Sequence, residues 1–106
     1  TTVPTQALTL YNGNFAMRQA GHLANRLIRE AGNDAEKQIT LAWRLSLSRP
    51  PSPEERAAAL KFLTDQLAEL KADPKNKKGA ENDLKQKALA QLARVIFNLN
   101  EFVYAH

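Results

Sequence analysis

The sequence of 106 residues has no cysteine, only four glycines and only two histidines. The lack of cysteine excludes disulfides, thiolate zinc sites, iron–sulfur clusters and covalent Cys-x-x-Cys-His haem attachment within this segment. The few glycines form no phosphate-cradling loop pattern. No apolar run approaches the length of a membrane span, and no stretch alternates with period two for long enough to form a strand. These absences leave a helical domain without a readable cofactor motif.

Positive charge is only slightly in excess, with a formal net charge of +4 and a pI near 9.6. This value permits an acidic partner, but it is also ordinary for a soluble domain. The length suits one domain that buries about two-thirds of its unfolded surface. The chain opens at Thr1 with neither an initiator Met nor a leader, and the residues that follow are typical of the inside of a chain. We therefore expect 1–106 to be a single helical domain within a longer protein.

Apolar residues recur at helical spacing in the first half of the chain. One stripe predicts an amphipathic helix that Gly32 ends at the C′ position, and it comprises Phe15, Met17, Ala20, Leu23, Ala24, Leu27, Ile28 and Ala31. Asn33 or Asp34 then caps a second helix, roughly Ala35 to Leu47. Apolar residues lie on more than one face of this helix, so we expect it to be the most buried. Trp43 is its predicted core centre, with the indole N–H bonded to a backbone carbonyl.

Prolines separate the second helix from a third. Arg49-Pro50-Pro51 cannot continue a helix. Ser52 is the predicted N-cap of the next one, with Pro53 at N1 and Glu55 closing a capping box at N3. This third helix is predicted to run to about Lys71, with a leucine at alternating three- and four-residue steps.

The last helix is predicted from about Asn82 to Asn98, after a mobile exposed loop over Ala72 to Glu81. Its expected buried residues are Leu84, Ala88, Leu92, Val95, Ile96 and Leu99. We expect Asn98-Leu99-Asn100 to end it, and Phe102 and Tyr104 to fold back onto the core. The prediction is an all-α domain, a compact orthogonal bundle of four main helices, and it allows a short helix within Thr5 to Leu10.

Few side chains are candidates for chemistry. His22 lies on a polar helix face beside Arg18, Arg26 and Arg29, which disfavours a bound cation, and His106 is the last residue. Met17, His22 and His106 are the only side chains that could ligate haem iron, and Met17 lies on the apolar stripe, where methionine usually fills core space. Glu54 and Glu55 are explained as first-turn residues of a helix. Ser46, Ser48 and Ser52 have no histidine at a suggestive spacing. We therefore predict no catalytic, cofactor or metal residue and no enzymatic activity for this domain alone.

A basic helical nucleic-acid-binding module is the main alternative. Lysines cluster in the loop and around it, at Lys71, Lys75, Lys77, Lys78, Lys85 and Lys87. They are interleaved with Glu69, Asp73, Glu81 and Asp83, and no aromatic lies among them to stack on bases. The pattern favours a solvated loop.

Three segments in order carry a resemblance over essentially the whole chain: Thr2 to Asn12, Leu47 to Glu55, and Asn98 to Tyr104. Together they resemble the C-terminal domain of large planctomycete proteins of unknown function that accompany cytochrome-c-like domains. The lysine-rich stretch Lys75 to Lys78 departs from that pattern. The resemblance implies an extracytoplasmic protein with other domains N-terminal to this one, often including a haem domain. It implies no activity. We thus expect a structural or protein-interaction domain whose partner is either the preceding domains or another protein.

Overall fold

The computed structural model describes residues 14–76 and 80–105, with side chains for 15–76 and 80–99. It contains four long helices, α1 (Asn14–Ala31), α2 (Ala35–Leu47), α3 (Pro53–Ala72) and α4 (Glu81–Ala105), with a short 3₁₀ turn at Pro74–Asn76. No strand occurs in these ranges. The predicted all-α domain of four main helices is confirmed. The short helix allowed within Thr5 to Leu10 lies outside the described residues.

The ends of α1 and α2 follow local rules. Gly32 has φ +66, and its N–H donates to the carbonyl of Ile28 over 2.9 Å, as predicted for a C′ glycine. Asp34, rather than Asn33, caps α2, because its carboxylate accepts from the backbone N–H groups of Glu36 and Lys37. Ser48 ends α2 in the left-handed region at φ 59.

Side-chain hydrogen bonds hold the corner between α2 and α3. The Glu55 N–H donates to the Ser52 hydroxyl over 3.1 Å, and the Ser52 N–H donates to the Glu55 carboxylate over 2.8 Å, which completes the predicted capping box. Arg49 adds a bond to each oxygen of the same carboxylate, at 2.7 and 2.8 Å. These donors, Arg49 first and Ser52 second, hold the pKa of Glu55 at about 2, below its ordinary 4.5.

We predict a pH-dependent effect for Glu55→Gln at this corner. The folded state favours ionised Glu55, so its stabilisation is present above about pH 4.5 and is lost as the pH falls toward 2. The substitution should lower the free energy of unfolding by about 1 kcal/mol at pH 7, because the pair is partly exposed. The difference from the parent should shrink by pH 3. Urea unfolding at both pH values measures it, with Glu54→Gln as the neighbouring control; an equal effect at both pH values would contradict the assignment.

The core lies where all four helices meet. Trp43 is 3% exposed and belongs to one buried cluster with Leu27, Leu92 and Ile96, and Leu23 packs against that cluster. The predicted burial of Trp43 is therefore confirmed. Its indole N–H has no acceptor within hydrogen-bond geometry, so the predicted bond to a backbone carbonyl is wrong. The N–H instead contributes to lowering the pKa of Glu55, which places that carboxylate close to it.

The buried faces of α1 and α4 differ from the predicted stripes. On α1 the fully buried row is Ala16, Ala20 and Ala24, continued by Leu27, whereas Phe15 and Met17 are each 50% exposed. Met17 is therefore not the core residue that the stripe predicted. On α4, Val95 and Leu99 are 40% and 41% exposed, while Leu89 and Ala93 are buried. On α1 small side chains occupy the contact row because they let helix backbones approach closely, and the larger Phe15 and Met17 lie at its edges.

The last helix is longer than predicted, and it contributes more buried side chains than α2, which was expected to be the most buried helix. α4 does not end at Asn98 but continues to Ala105, because asparagine has only a modestly low helix propensity and does not break a helix. The side chains of Phe102 and Tyr104 lie outside the described residues. Among described residues α4 contributes six buried apolar side chains and α2 three, so α4 is the central helix.

The described part of the segment after α3 is a turn that hydrogen bonds hold in place. The Asn76 side-chain amide donates to the Leu70 carbonyl over 3.0 Å, and the Lys75 N–H donates to the Asp73 carboxylate over 2.9 Å. Ala72 to Lys75 are exposed, as the predicted loop requires, but Asn76 is half-buried. Lys77 to Gly79 lie outside the described residues.

Candidate interaction surface

An open groove runs between the start of α1, the end of α2 and the later part of α4. Its volume is about 520 Å³, and it is lined by Phe15, Gln19, His22, Leu23, Arg26, Leu45, Ser46 and Phe97. Since the start of α1 shares this groove with Phe97, while Ile28 at its other end lies beside Lys85, α1 and α4 run antiparallel. The groove therefore lies at one end of this helix pair.

The floor and walls of the groove are largely apolar and open to solvent. Phe15 is half exposed, and Leu45 is 38% exposed. Leu23 and Phe97 are half-buried beneath them. Exposed large apolar side chains that line one concavity mark a surface suited to contact with protein.

Polar side chains form the rim. His22 is exposed there, as predicted, with Arg26 one turn further along α1. Arg26 in turn pairs with Glu30. The described residues contain no group of three His, Asp or Glu side chains that could hold a metal ion. His22 lines the groove with an exposed side chain, and His106 lies outside the described part of the chain.

The predicted lysine cluster is not brought together as a bare cationic patch. Lys71 pairs with Glu81 at 3.1 Å, and the Lys87 ammonium donates to the Asn76 side-chain oxygen over 3.4 Å. Lys75 is exposed on the 3₁₀ turn. Lys75 and Lys87 line one depression together with Asp83, and Lys77 and Lys78 lie outside the described residues.

Glu54, Glu55 and Ser52 take the structural positions that the sequence predicts. Glu54 and Glu55 lie in the first turn of α3, and Ser52 caps it. Ser48 is the C-cap of α2, while Ser46 lines the groove. Among these serines Ser46 alone acquires a place in the candidate surface.

Sequence reasoning missed most of this surface. Leu45, Ser46, Gln19 and Phe97 were not predicted to act together. A signal was present in α2, where Ile39, Ala42 and Trp43 form one buried stripe and Leu41 and Leu45 form a second at a four-residue step. A second apolar stripe on a helix predicts either deeper burial or a further contact face. In the structure Leu45 stays 38% exposed in the groove.

No helix in the part of the chain that the structure describes is long and apolar enough to cross a membrane.

The chain matches one family model, described as "PSD1: Protein of unknown function (DUF1553)", over residues 1–63. The matched region is more than half of the 106 residues. It includes α1, α2, the corner at Ser52 and the first half of α3, but not α4. No curated protein and no solved structure matches the chain.

Proposed function

The chain belongs to the PSD1 family of proteins of unknown function, and we propose that it is a structural or protein-interaction domain at the C-terminus of a large extracytoplasmic protein. The observation that carries the proposal is the groove with exposed Phe15 and Leu45. The extracytoplasmic setting and the cytochrome-c-like haem domain elsewhere in the parent protein are part of the proposal, and their support is the resemblance of the three sequence segments.

The proposed occupant of the groove is an apolar segment of the preceding domains of the same protein. Leu45 and Phe15 would pack against apolar side chains of that segment, and Gln19 and Ser46 would provide hydrogen bonds at the edge. This arrangement of an apolar centre with a polar rim is typical of protein–protein contacts. The domain itself would carry out no catalysis and would bind no haem.

The nucleic-acid alternative has less support. Lys71 is already paired with Glu81, and Asp83 lies with Lys75 and Lys87 around one shallow depression. Phosphate binding requires cations that are free to replace counterions along the backbone. Because acidic side chains lie among these lysines, we propose the protein-interaction function in preference to phosphate binding.

A titration between separately purified parts tests the proposal. We expect the 106-residue chain to bind the preceding region of its parent protein, and Leu45→Glu to weaken the affinity at least tenfold. The substitution removes a leucine side chain from the centre of an apolar contact, and it forces the new carboxylate to lose its water on binding. Isothermal titration calorimetry gives both affinities.

Ala57→Glu is the matched control, because Ala57 is exposed on α3 and does not line the groove. It should change the affinity by less than twofold. If the preceding region does not bind, the intramolecular partner is wrong. If the Leu45→Glu variant binds the preceding region as tightly as the unsubstituted 106-residue chain does, the groove is not the interface.

A further inference from the structure

A second concavity lies at the other end of α1, between the C-terminal end of α1, the start of α2, the middle of α3 and the start of α4. Its volume is about 540 Å³. This is within the range of roughly 300–1,000 Å³ that is usual for small-molecule sites. We refer to it as the Lys85 cleft. It shares no lining residue with the groove described above.

The walls of the Lys85 cleft are apolar and come from three helices. Ile28 of α1, Leu63 and Leu67 of α3, and Leu89 of α4 line it. Leu89 is buried, and the other three are half-buried. A ligand in this cleft would therefore gain most of its affinity from an apolar body.

Polar groups are few and are held in place. Gln38 is a buried polar residue, 7% exposed, and its side-chain amide donates to the Gly32 carbonyl over 2.5 Å. This bond fixes the amide in the wall of the cleft. Asn33 and Asn82 are exposed and supply further amide groups at the mouth. These groups can orient a polar head but carry no charge.

The charge in the Lys85 cleft is positive. Lys85 is the single charged side chain among the described residues that line it. None of the salt bridges found in residues 14–76 and 80–105 includes Lys85. Glu81, one turn before Lys85 on α4, pairs with Lys71 at 3.1 Å and does not line the cleft, although the charge of Lys85 also helps to lower the pKa of Glu81. A cation at the mouth of an apolar cleft, where none of the described lining residues is acidic, is complementary to an anionic head group.

We propose that the Lys85 cleft binds a small amphiphile with an aliphatic body and a carboxylate head, of the class of medium-chain fatty acids. The aliphatic body lies against Leu63, Leu67 and Leu89, and the carboxylate accepts from Lys85 and the neighbouring amides. This binding is independent of the protein contact proposed for the groove.

Decanoate is the probe, below its micellar concentration, with decanol and decyltrimethylammonium as the neutral and cationic probes of equal chain length. We expect decanoate to bind with the highest affinity and to raise the melting temperature, because a ligand that binds only the folded state stabilises it. Lys85→Gln should weaken decanoate binding about fivefold, the scale of one exposed charge pair. Thr64→Phe, at an exposed position on the cleft edge, should fill the space and abolish binding.

Two controls keep the outcome interpretable. Lys37→Gln removes the same charge from an exposed site outside the cleft, and Ala57→Phe adds the same ring elsewhere on α3. Both should bind decanoate within twofold of the parent. Absence of decanoate binding at 1 mM would overturn the proposal, as would equal affinity for all three probes or unchanged affinity in Thr64→Phe.

Discussion

Replacing Trp43 by alanine should lower the free energy of unfolding by about 3–5 kcal/mol, the range for truncation of a buried aromatic. Trp43 is 3% exposed and packs in the cluster that joins α1, α2, α3 and α4. The loss combines the transfer free energy of the ring with the cavity that it leaves. A domain of this size has a total stability of about 5–15 kcal/mol, so the variant should be partly unfolded at moderate temperature.

The measurement is urea unfolding followed by circular dichroism, because Trp43 is the single tryptophan and its removal eliminates the fluorescence signal. Trp43→Phe should cost clearly less, since phenylalanine keeps most of the apolar ring volume and loses only the indole N–H, the least of the groups that lower the pKa of Glu55. His22→Ala, at an exposed position, should change the stability by less than about 0.5 kcal/mol. A Trp43→Ala loss below about 1 kcal/mol would mean that the cluster is not the core.

The features that sequence predicted best are those fixed by a few adjacent residues. The capping box at Ser52 and Glu55, the break at Pro50 and Pro51, and the end of α1 at Gly32 all follow from backbone chemistry within one turn. The choice between Asn33 and Asp34 needed the structure, because both side chains can cap a helix. Local rules decide where helices begin and end, but they do not decide between equivalent neighbours.

The faces of the helices were harder to predict, since they depend on the partner helix. An apolar stripe on α1 included Phe15 and Met17 because they are large and apolar, yet the buried row consists of alanines. The close contact between α1 and α4 selects small side chains, and periodicity alone cannot show how near the other helix comes. On α4 the buried face includes Leu89, Leu92 and Ile96, so the rotation of the helix, and not the size of the side chains, leaves Val95 and Leu99 partly exposed. The sequence predicts an end of α4 near Asn98, but asparagine does not break a helix and α4 continues to Ala105.

The candidate surface could not be predicted for a related reason. Phe15, Leu45 and Phe97 are about thirty and fifty residues apart in sequence, and only the packing of α1 on α2 and α4 brings them to one groove. The sequence contained the excess apolar stripe on α2, but it predicted burial. The difference between a buried stripe and a contact face is whether another helix of the same domain covers it.

The two adjacent residues Ile96 and Val95 give a direct test of the face that α4 presents to the core. Ile96 is fully buried, whereas Val95 is 40% exposed, although both were predicted to be buried. Ile96→Ala should lower the free energy of unfolding by about 2–5 kcal/mol, because it leaves a cavity between α4 and the cluster around Trp43. Val95→Ala should cost less than about 1 kcal/mol, since part of its side chain is already in water.

Both substitutions replace a β-branched residue by alanine in the same turn, so the gain in helix propensity is similar and largely cancels in the comparison. Urea unfolding curves of the two variants under identical conditions measure the difference. Ile96→Ala should have the lower midpoint with an unchanged slope, because the loss lies in the folded core. If Val95→Ala is instead the more destabilised variant, α4 is rotated by about one residue from the orientation described, and the contacts assigned to Phe97 in the groove change with it.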